Sequence, residues 1–296
     1  HRREHMMLNT PQDFMRTSER IIVQQFLRLR RAVLIHTPYG NAVYVPATRA
    51  DSVLLIAHTD TVWGGANIRL HHDGDIITSA VNGVGIGADD RAGVAALWSL
   101  RKSGHALLLL PEEETGCKGS EYVAKTAPHI LTRHQYMIQF DRRGGTDLVT
   151  YDCDNEAFND YLLGSLQGYA LASGSFSDIA VLAPVAEVAA VNISIGFRAE
   201  HTGAESLDLA EWRNTVESVR GMLAEYCPQF EYVQRAYSSA ALWSYDMGSI
   251  DLYDDLYDDI HDGACPECSV QLIDDMGYCY CPQCFQHWDN CDVVEY

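Results

Sequence analysis

The sequence lacks several features that would define a membrane or nucleic-acid-binding protein. No apolar run approaches the roughly eighteen residues of a transmembrane helix, and residues 1–7 lack the apolar stretch of a signal peptide. Basic residues are few, with 21 Lys and Arg against 41 Asp and Glu, and none follows Arg235. Because a chain with formal net charge −20 repels phosphate groups, we expect neither nucleic acid nor anionic membrane as a partner.

Evenly distributed cysteines, which would indicate a disulfide framework, are also missing. Six of the nine cysteines fall between Cys265 and Cys291. This clustering favours a metal site and therefore a reducing, cytoplasmic location.

The first candidate site follows a short apolar run. Val53 to Ala57 is typical of a buried strand, and His58 and Asp60 come directly after it. Residues i and i+2 of an extended chain point the same way, so both side chains can face one site. An imidazole suits a metal, and a neighbouring carboxylate can fix its tautomer. The alternative is a surface turn with an ordinary His and Asp.

Further acidic and imidazole side chains lie next to other predicted elements. They are Asp89 and Asp90 before a helix over 91–101, Glu112, Glu113 and Glu114 after a strand over 105–110, Asp141 after a strand over 136–140, and His201 after a strand over 185–197. For the carboxylates, helix capping and solvated acidic loops are the alternatives. Two His and three carboxylates, which are His58, His201, Asp89, Asp141 and either Glu113 or Glu114, suit a pair of divalent ions with an open position for water.

The alternation of strands and helices predicts an α/β fold with a mixed, mostly parallel central sheet. Other predicted elements are a helix over 12–33, hairpins over 33–45 and 67–79, and helices over 155–166 and 207–226, with a short helix from Asp178.

Five segments together resemble the co-catalytic zinc peptidases, a clan that includes peptidase T, the glutamate carboxypeptidases and related aminopeptidases. The resemblance covers about residues 50–225 and rests on Ala57–Thr61, Gly87–Gly93, Pro111–Gly116, Phe140–Asp141 and Glu200–His201, in this order. It implies a three-layer sandwich and two catalytic Zn²⁺, with Co²⁺ or Mn²⁺ as alternatives.

The resemblance also implies a role for each site residue. His58 and Asp141 would hold one ion, Glu114 and His201 the other, and Asp89 would bridge both. Asp60 would orient His58, and Glu113 would act as general base and acid. A cis peptide bond is expected between Asp89 and Asp90.

The sequence departs from many carboxypeptidase-like relatives in one respect. About sixty residues separate Asp141 from His201, which leaves no room for an inserted lid domain. We therefore expect an aminopeptidase-like exopeptidase acting on a peptide or small amide. A non-peptide amidohydrolase or deacylase, and a non-catalytic binding protein that kept the fold, are the alternatives.

The C-terminal part of the chain has a different composition. Residues 236–263 are acidic and carry apolar residues at helical spacing, which indicates either a linker or an amphipathic helix. Two C-x-x-C knuckles follow, twelve residues apart, formed by Cys265, Cys268, Cys281 and Cys284. This spacing predicts a zinc ribbon with one structural Zn²⁺.

These patterns predict a catalytic domain over 1–235, the acidic segment over 236–263 and the ribbon over 264–296. Since the ribbon contains no Lys or Arg, contact with a protein partner or a second copy of the chain is the expected role of the acidic segment and ribbon.

Replacement of Cys265 by Ser in the full-length chain should remove one structural zinc, because a closed tetrahedral site needs all four thiolates. The zinc content measured by elemental analysis should then fall from about three ions per chain to about two, and the melting temperature should fall as well. Cys291→Ser, outside the knuckles, is the control. An unchanged melting temperature and oligomeric state for Cys265→Ser would contradict a structural ribbon.

Overall fold

The computed structural model describes residues 8–64 and 68–235, and the backbone of three short strands beyond residue 236. The chain divides into two compact units, His1–Arg235 and Ala236–Tyr296.

The first unit is built on strands and helices that alternate along the chain. Its strands are β1 (Val33–Thr37), β2 (Gly40–Val45), β3 (Leu54–His58), β4 (Leu70–Asp73), β5 (Ile76–Ser79), β6 (Ala106–Leu110), β7 (Met137–Arg142), β8 (Asp147–Val149), β9 (Ala170–Leu171), β10 (Ala190–Ser194), β11 (Phe197–Arg198) and β12 (Ser206–Asp208). Its α-helices are α1 (Pro11–Met15), α2 (Glu19–Phe26), α3 (Ala88–Leu100), α4 (Lys118–Thr126), α5 (Glu156–Ser165), α6 (Asp178–Ala186) and α7 (Leu209–Ala224).

Eight of these strands form the central sheet, in the order β1-β2-β6-β3-β7-β10-β8-β9. The four middle strands β6, β3, β7 and β10 are parallel, whereas β2 pairs antiparallel with β6 and β8 antiparallel with β10. The predicted mixed, mostly parallel sheet is therefore confirmed. A separate four-stranded sheet has the order β11-β12-β5-β4.

The middle strands are continuously apolar because both of their faces are covered. On β3, Leu55 and Ala57 belong to one buried cluster, which also contains residues of α1, α2, α3, α5 and α7. Leu54 and Ile56 belong to a second cluster, which contains residues of α4 and α6. Alternate side chains thus enter opposite cores, which gives the three-layer sandwich.

Two predicted elements have different boundaries in the structure. The helix expected over 12–33 is two short helices, because the chain turns at Thr17 and Ser18 is extended as the N-cap of α2. The strand expected over 185–197 begins too early, since Val185 is still in α6 and β10 starts at Ala190. A run of buried apolar residues does not by itself distinguish a helix end from a strand.

The second unit contains the antiparallel strands β13 (Ile273–Asp275), β14 (Tyr278–Tyr280) and β15 (His287–Asp289). The acidic segment over 236–263 and the knuckle residues Cys265, Cys268, Cys281 and Cys284 lie outside the described residues, so the ribbon stays a prediction.

Within the described ranges, no helix has both the length and the apolar character needed to cross a membrane.

The close packing of α3 on β7 requires a glycine at position 93. A Cβ there would lie 2.2 Å from the Phe140 carbonyl oxygen and 2.2 Å from Asp90 Oδ1. Gly93→Ala should therefore destabilise the fold by about 3 kcal/mol or more, because backbone must move to admit the methyl group. Urea denaturation followed by circular dichroism measures the effect.

Gly221→Ala is the matched control, since Gly221 is exposed in α7 and a Cβ there would meet nothing within 4 Å. It should stabilise the protein by about 0.5–1 kcal/mol through helix propensity. Equal denaturation midpoints for the two variants would contradict the packing described for Gly93.

Candidate metal centre

The candidate ligands meet at the carboxyl ends of the parallel strands. His58 ends β3, Asp141 lies near the end of β7, and Glu113 and Glu114 follow β6. Asp89 lies at the start of α3, and His201 in the turn between β11 and β12. The structure therefore places all five sequence-predicted ligands, with Glu113 and Asp60, in one place, as expected where open α/β sheets bind their ligands.

Two groups of side chains have metal-ligand character. The first is His58, Asp89 and Asp141, and the second is Asp89, Glu114 and His201. In each group the ligand atoms lie within 4.8 Å of one another, and Asp89 belongs to both groups.

His58 is the most enclosed member of the first group. Its side chain has no exposed area, and its Nε2 lies 3.1 Å from Asp89 Oδ1 and 3.4 Å from Asp141 Oδ1. Its Nδ1 lies 3.2 Å from Asp60 Oδ1, so an Nδ1–H donated to Asp60 directs the Nε2 lone pair at the other two carboxylates. The contact between this lone pair and the carboxylate oxygens is repulsive unless a proton or a metal ion lies between the nitrogen and the oxygens.

Asp60 connects two of the segments. Besides His58, its carboxylate accepts hydrogen bonds from the backbone N–H groups of Glu113, at 3.2 Å, and Glu114, at 3.1 Å. The turn after β6 is therefore fixed relative to β3. The tautomer of His58 and the position of both glutamates depend on the same carboxylate.

Asp141 is held by polar groups that the sequence pattern did not reveal. Its Oδ2 accepts hydrogen bonds from Gln139, Ser177 and Asn192, and its backbone N–H donates to Asn192 Oδ1 at 2.9 Å. These contacts occupy Oδ2 and direct Oδ1 toward His58. Gln139 and Asn192 lie within buried strands and Ser177 is the N-cap residue of α6, so none of them stands out from the sequence as a functional residue.

The second group is more open. The His201 side chain is 46% exposed, and its Nε2 lies 3.2 Å from Asp89 Oδ2 and 2.8 Å from Glu114 Oε2. Asp89 thus faces His58 through Oδ1 and His201 through Oδ2. This is the arrangement expected of a carboxylate that bridges two ions.

The peptide bond between Asp89 and Asp90 is cis, as expected. Asp90 itself faces away from the two groups, since its Oδ2 accepts the His58 backbone N–H and its Oδ1 the Gly93 N–H. The loop before Asp89 contacts Glu205, a residue not identified from the sequence. Its carboxylate accepts the backbone N–H groups of Ile86, Gly87, Ala88 and Asp89.

Burial and mutual repulsion shift the acids of the site away from their ordinary pKa values. Burial, reinforced by Asp141, raises the pKa of Glu113 to about 9. Burial also raises the pKa of Asp141 to about 7. Contacts with Asp89 and Glu114 raise the pKa of His201 to about 11. Against the cost of burial, the nearby carboxylates raise the pKa of His58 as well.

The residues present fit divalent metal ions. Imidazole nitrogens and carboxylate oxygens are ligands that zinc accepts. The buried Oε1 of Glu114 has no hydrogen-bond partner among the described residues, and such an atom is costly unless a cation binds it. A metal cofactor is therefore consistent with both the donors and the excess of buried negative charge.

A cavity of about 240 Å³ opens over the two groups, and its lining includes Tyr151, Phe176, Arg143 and Glu200. Arg143 pairs with Glu200 at 2.9 Å. A larger cavity of about 410 Å³ is lined by residues such as Thr61 and Arg91 but by none of the candidate ligands.

Solved structures share this fold. The aminopeptidase PepT from Bacillus cereus has a TM-score of 0.57 at 14% identity, covering 72% of this chain and 96% of its own. A tripeptidase from Staphylococcus aureus has a TM-score of 0.60 at 13% identity, covering 74% and 97%. PhTET1-12s, solved as a dodecamer, has a TM-score of 0.52 at 15% identity, covering 73% and 98%.

These neighbours confirm the fold expected from the resemblance to the co-catalytic zinc peptidases. No protein-family model matches the sequence, and no curated protein sequence matches it either.

Binding of divalent ions should release protons, because the pKa of His201 is raised to about 11 and that of His58 is raised as well, and an imidazole must be neutral at the nitrogen that binds a metal ion. Metal affinity should therefore rise with pH between about 6 and 8. Isothermal titration calorimetry at pH 7 in two buffers of different ionisation enthalpy counts the protons released.

His201→Ala should release about one proton fewer than the wild-type chain. His129→Ala, an exposed histidine after α4, should behave as wild type. Equal proton release by wild type and His201→Ala would contradict this assignment of charge.

Proposed function

We propose that this protein is a metal-dependent exopeptidase of the aminopeptidase type, which hydrolyses a peptide or small amide bond. The observation that carries the proposal is the position of Glu113. Its Oε2 lies 4.0 Å from His58 Nε2, beside both ligand groups, yet Glu113 belongs to neither of them. A carboxylate so placed can act on a water molecule without being used as a ligand.

We assign the ligands as the resemblance implies. His58 and Asp141 would hold one ion, Glu114 and His201 would hold the other, and Asp89 would contribute a carboxylate oxygen to each. Zinc is the proposed metal, with cobalt or manganese as substitutes. Ions bound there lower the pKa of a water molecule and polarise the scissile carbonyl group.

Glu113 acts as the general base and then the general acid. It takes a proton from the attacking water and returns it to the leaving amine. Its raised pKa of about 9 suits the acid step, and positive charge at the centre would bring that pKa down toward neutrality for the base step. The backbone N–H of Glu113 is held by Asp60, which keeps the carboxylate over the centre.

The cavity and its charge favour a substrate with a free amine. Its lining contains Glu113 and three of the candidate acidic ligands, which are Asp89, Glu114 and Asp141. It also contains Glu200, which pairs with Arg143 through Oε1 but whose buried Oε2 has no hydrogen-bond partner among the described residues. An ammonium group can compensate such charge, while a substrate carboxylate would add to it. Among the described residues no lid domain covers the cavity. The activities named for PepT and the tripeptidase also favour an exopeptidase of the aminopeptidase type.

We also propose a domain arrangement of catalytic domain, acidic segment and zinc ribbon, with self-association through the last two. The dodecamer of PhTET1-12s supports the general idea that this fold can assemble. Sedimentation velocity on the full chain and on a chain ending at Arg235 would measure the contribution of the C-terminal residues.

Glu113→Gln should abolish most turnover while metal stays bound, because the amide keeps the shape of the side chain but cannot accept the proton. We expect kcat on a tripeptide with a free amino terminus to fall about 10²–10⁴-fold with unchanged metal content. Chromatographic product analysis and elemental analysis make the two measurements. Surviving activity would show that the base is wrongly assigned.

Glu121→Gln, an exposed glutamate on α4, is the matched control and should keep full activity. Substrates blocked at one end distinguish the alternatives. Cleavage of the free-amine peptide but not of its N-acetyl form supports an aminopeptidase, whereas cleavage of N-acyl amino acids alone indicates a deacylase. No cleavage of any of them by metal-loaded protein would favour a binding protein.

A further inference from the structure

Glu205 lies outside the ligand groups, yet its carboxylate makes an unusual set of contacts. Its Oε2 accepts the backbone N–H groups of Ile86 and Gly87, both at 2.8 Å. Its Oε1 accepts those of Ala88, at 2.8 Å, and Asp89, at 3.1 Å. The residue is 1% exposed, so one buried side chain satisfies four successive amide groups.

Burial of a carboxylate is costly and persists only where hydrogen bonds or charges compensate it. Burial raises the pKa of Glu205 to about 7, and the amide donors oppose that rise. The four N–H groups also need an acceptor, because at the start of α3 they have no partner within the helix. The Glu205 carboxylate and the N–H groups of the loop therefore supply each other's hydrogen-bond partners, and each would be buried without partners if the other were absent.

The loop that Glu205 holds carries Asp89, the only residue shared by the two ligand groups. Gly87 in this loop has a φ of 64°, so its backbone is in the left-handed region. Without the carboxylate, no other side chain of the described residues accepts hydrogen bonds from the amides of residues 86–89.

Glu205 also lies only four residues after His201. The turn between them is closed locally, with Thr202 Oγ1 donating to the Ala199 carbonyl and the Glu205 N–H donating to the Thr202 carbonyl. The same carboxylate thus joins the turn that carries His201 to the loop that carries Asp89. His201 is half exposed and has few other constraints, unlike His58 and Asp141 on the buried sheet.

We propose that Glu205 is a positioning residue for the metal centre, which fixes Asp89 and His201 relative to each other. This inference rests on the metal centre of the proposed function but not on its peptidase activity. It predicts an unequal effect on the two ions. Loss of Glu205 should weaken the site of Asp89, Glu114 and His201 more than the site that includes His58 and Asp141.

The experiment compares metal binding by the full-length metal-free chain and by Glu205→Gln. The substituted amide keeps one acceptor oxygen but turns an NH₂ group toward two of the four N–H donors. Cobalt(II) is the probe, because its absorption separates sites with oxygen and nitrogen ligands from thiolate sites. We expect the site of Asp89, Glu114 and His201 to lose about 10–100-fold in cobalt affinity, and the site that includes His58 and Asp141 to lose less.

Two further variants separate positioning from general stability. Glu205→Asp keeps the charge and should restore part of the lost affinity. Glu217→Gln, on the exposed face of α7, should leave both cobalt affinities unchanged. If Glu205→Gln binds both ions as tightly as wild type, even with a lowered melting temperature, the residue is merely structural and the proposal is wrong.

Hydrogen exchange tests the same contact without metal or activity. The amides of residues 86–89 should exchange slowly in the metal-free wild-type chain and faster in Glu205→Asp. Because it uses only the wild-type and Glu205→Asp chains, this measurement still tests the proposal if Glu205→Gln fails to fold. Rapid exchange of these amides in the wild-type chain would overturn the proposal, whatever the peptidase assays show.

Discussion

The repulsion among buried carboxylates at the end of the sheet is the constraint on which the rest of the site depends. Asp89, Asp141, Glu113 and Glu114 meet around two imidazoles, and because their side chains are only 7–17% exposed, water screens their charges weakly. In the metal-free chain, only protons on the histidines and acids can offset this charge, which is why several pKa values move toward the protonated form. A pair of divalent ions offsets it more completely.

The folded chain keeps these repelling carboxylates close together because other residues hold each of them in place. The parallel pairing of β3 with β6 and β7 sets the strand ends side by side. Asp60 then connects the first strand end to the turn after β6, and Asn192 on β10 fixes Asp141. Asp60 and Asn192, which are not candidate metal ligands, thus help to set the distances between the residues that would bind metal.

The sequence was sufficient for the parts of the site that follow short-range rules. Apolar runs predicted β3, β6 and β7, and parallel strands expose their ends on one edge, so His58, Asp141 and either Glu113 or Glu114 were expected together. The choice of Glu114 came from the family resemblance. Of the supporting residues, Asp60 was predicted from the sequence, whereas Asn192 and Glu205 were not. Asn192 lies within a buried strand and Glu205 in a turn. The contact of Asn192 with Asp141 spans 51 residues of the chain, and those of Glu205 with residues 86–89 span 116–119. No local pattern carries such contacts. Likewise, the apolar run over 185–197 did not reveal that α6 ends at Ala186 and that β10 begins at Ala190.

The position of Glu113 bears on the choice between a binding protein and an enzyme. A protein that only stored or carried metal would need the ligand groups and their supports. Glu113 adds a further negative charge to a site already rich in them, and its pKa of about 9 shows how unfavourable its ionised form is there. It contributes to neither ligand group, so metal retention does not explain it. A general base, by contrast, must lie beside the ions without binding them, and its raised pKa suits it to return the proton it takes. The proposed hydrolysis would give this one side chain a role, whereas metal storage alone would give it none.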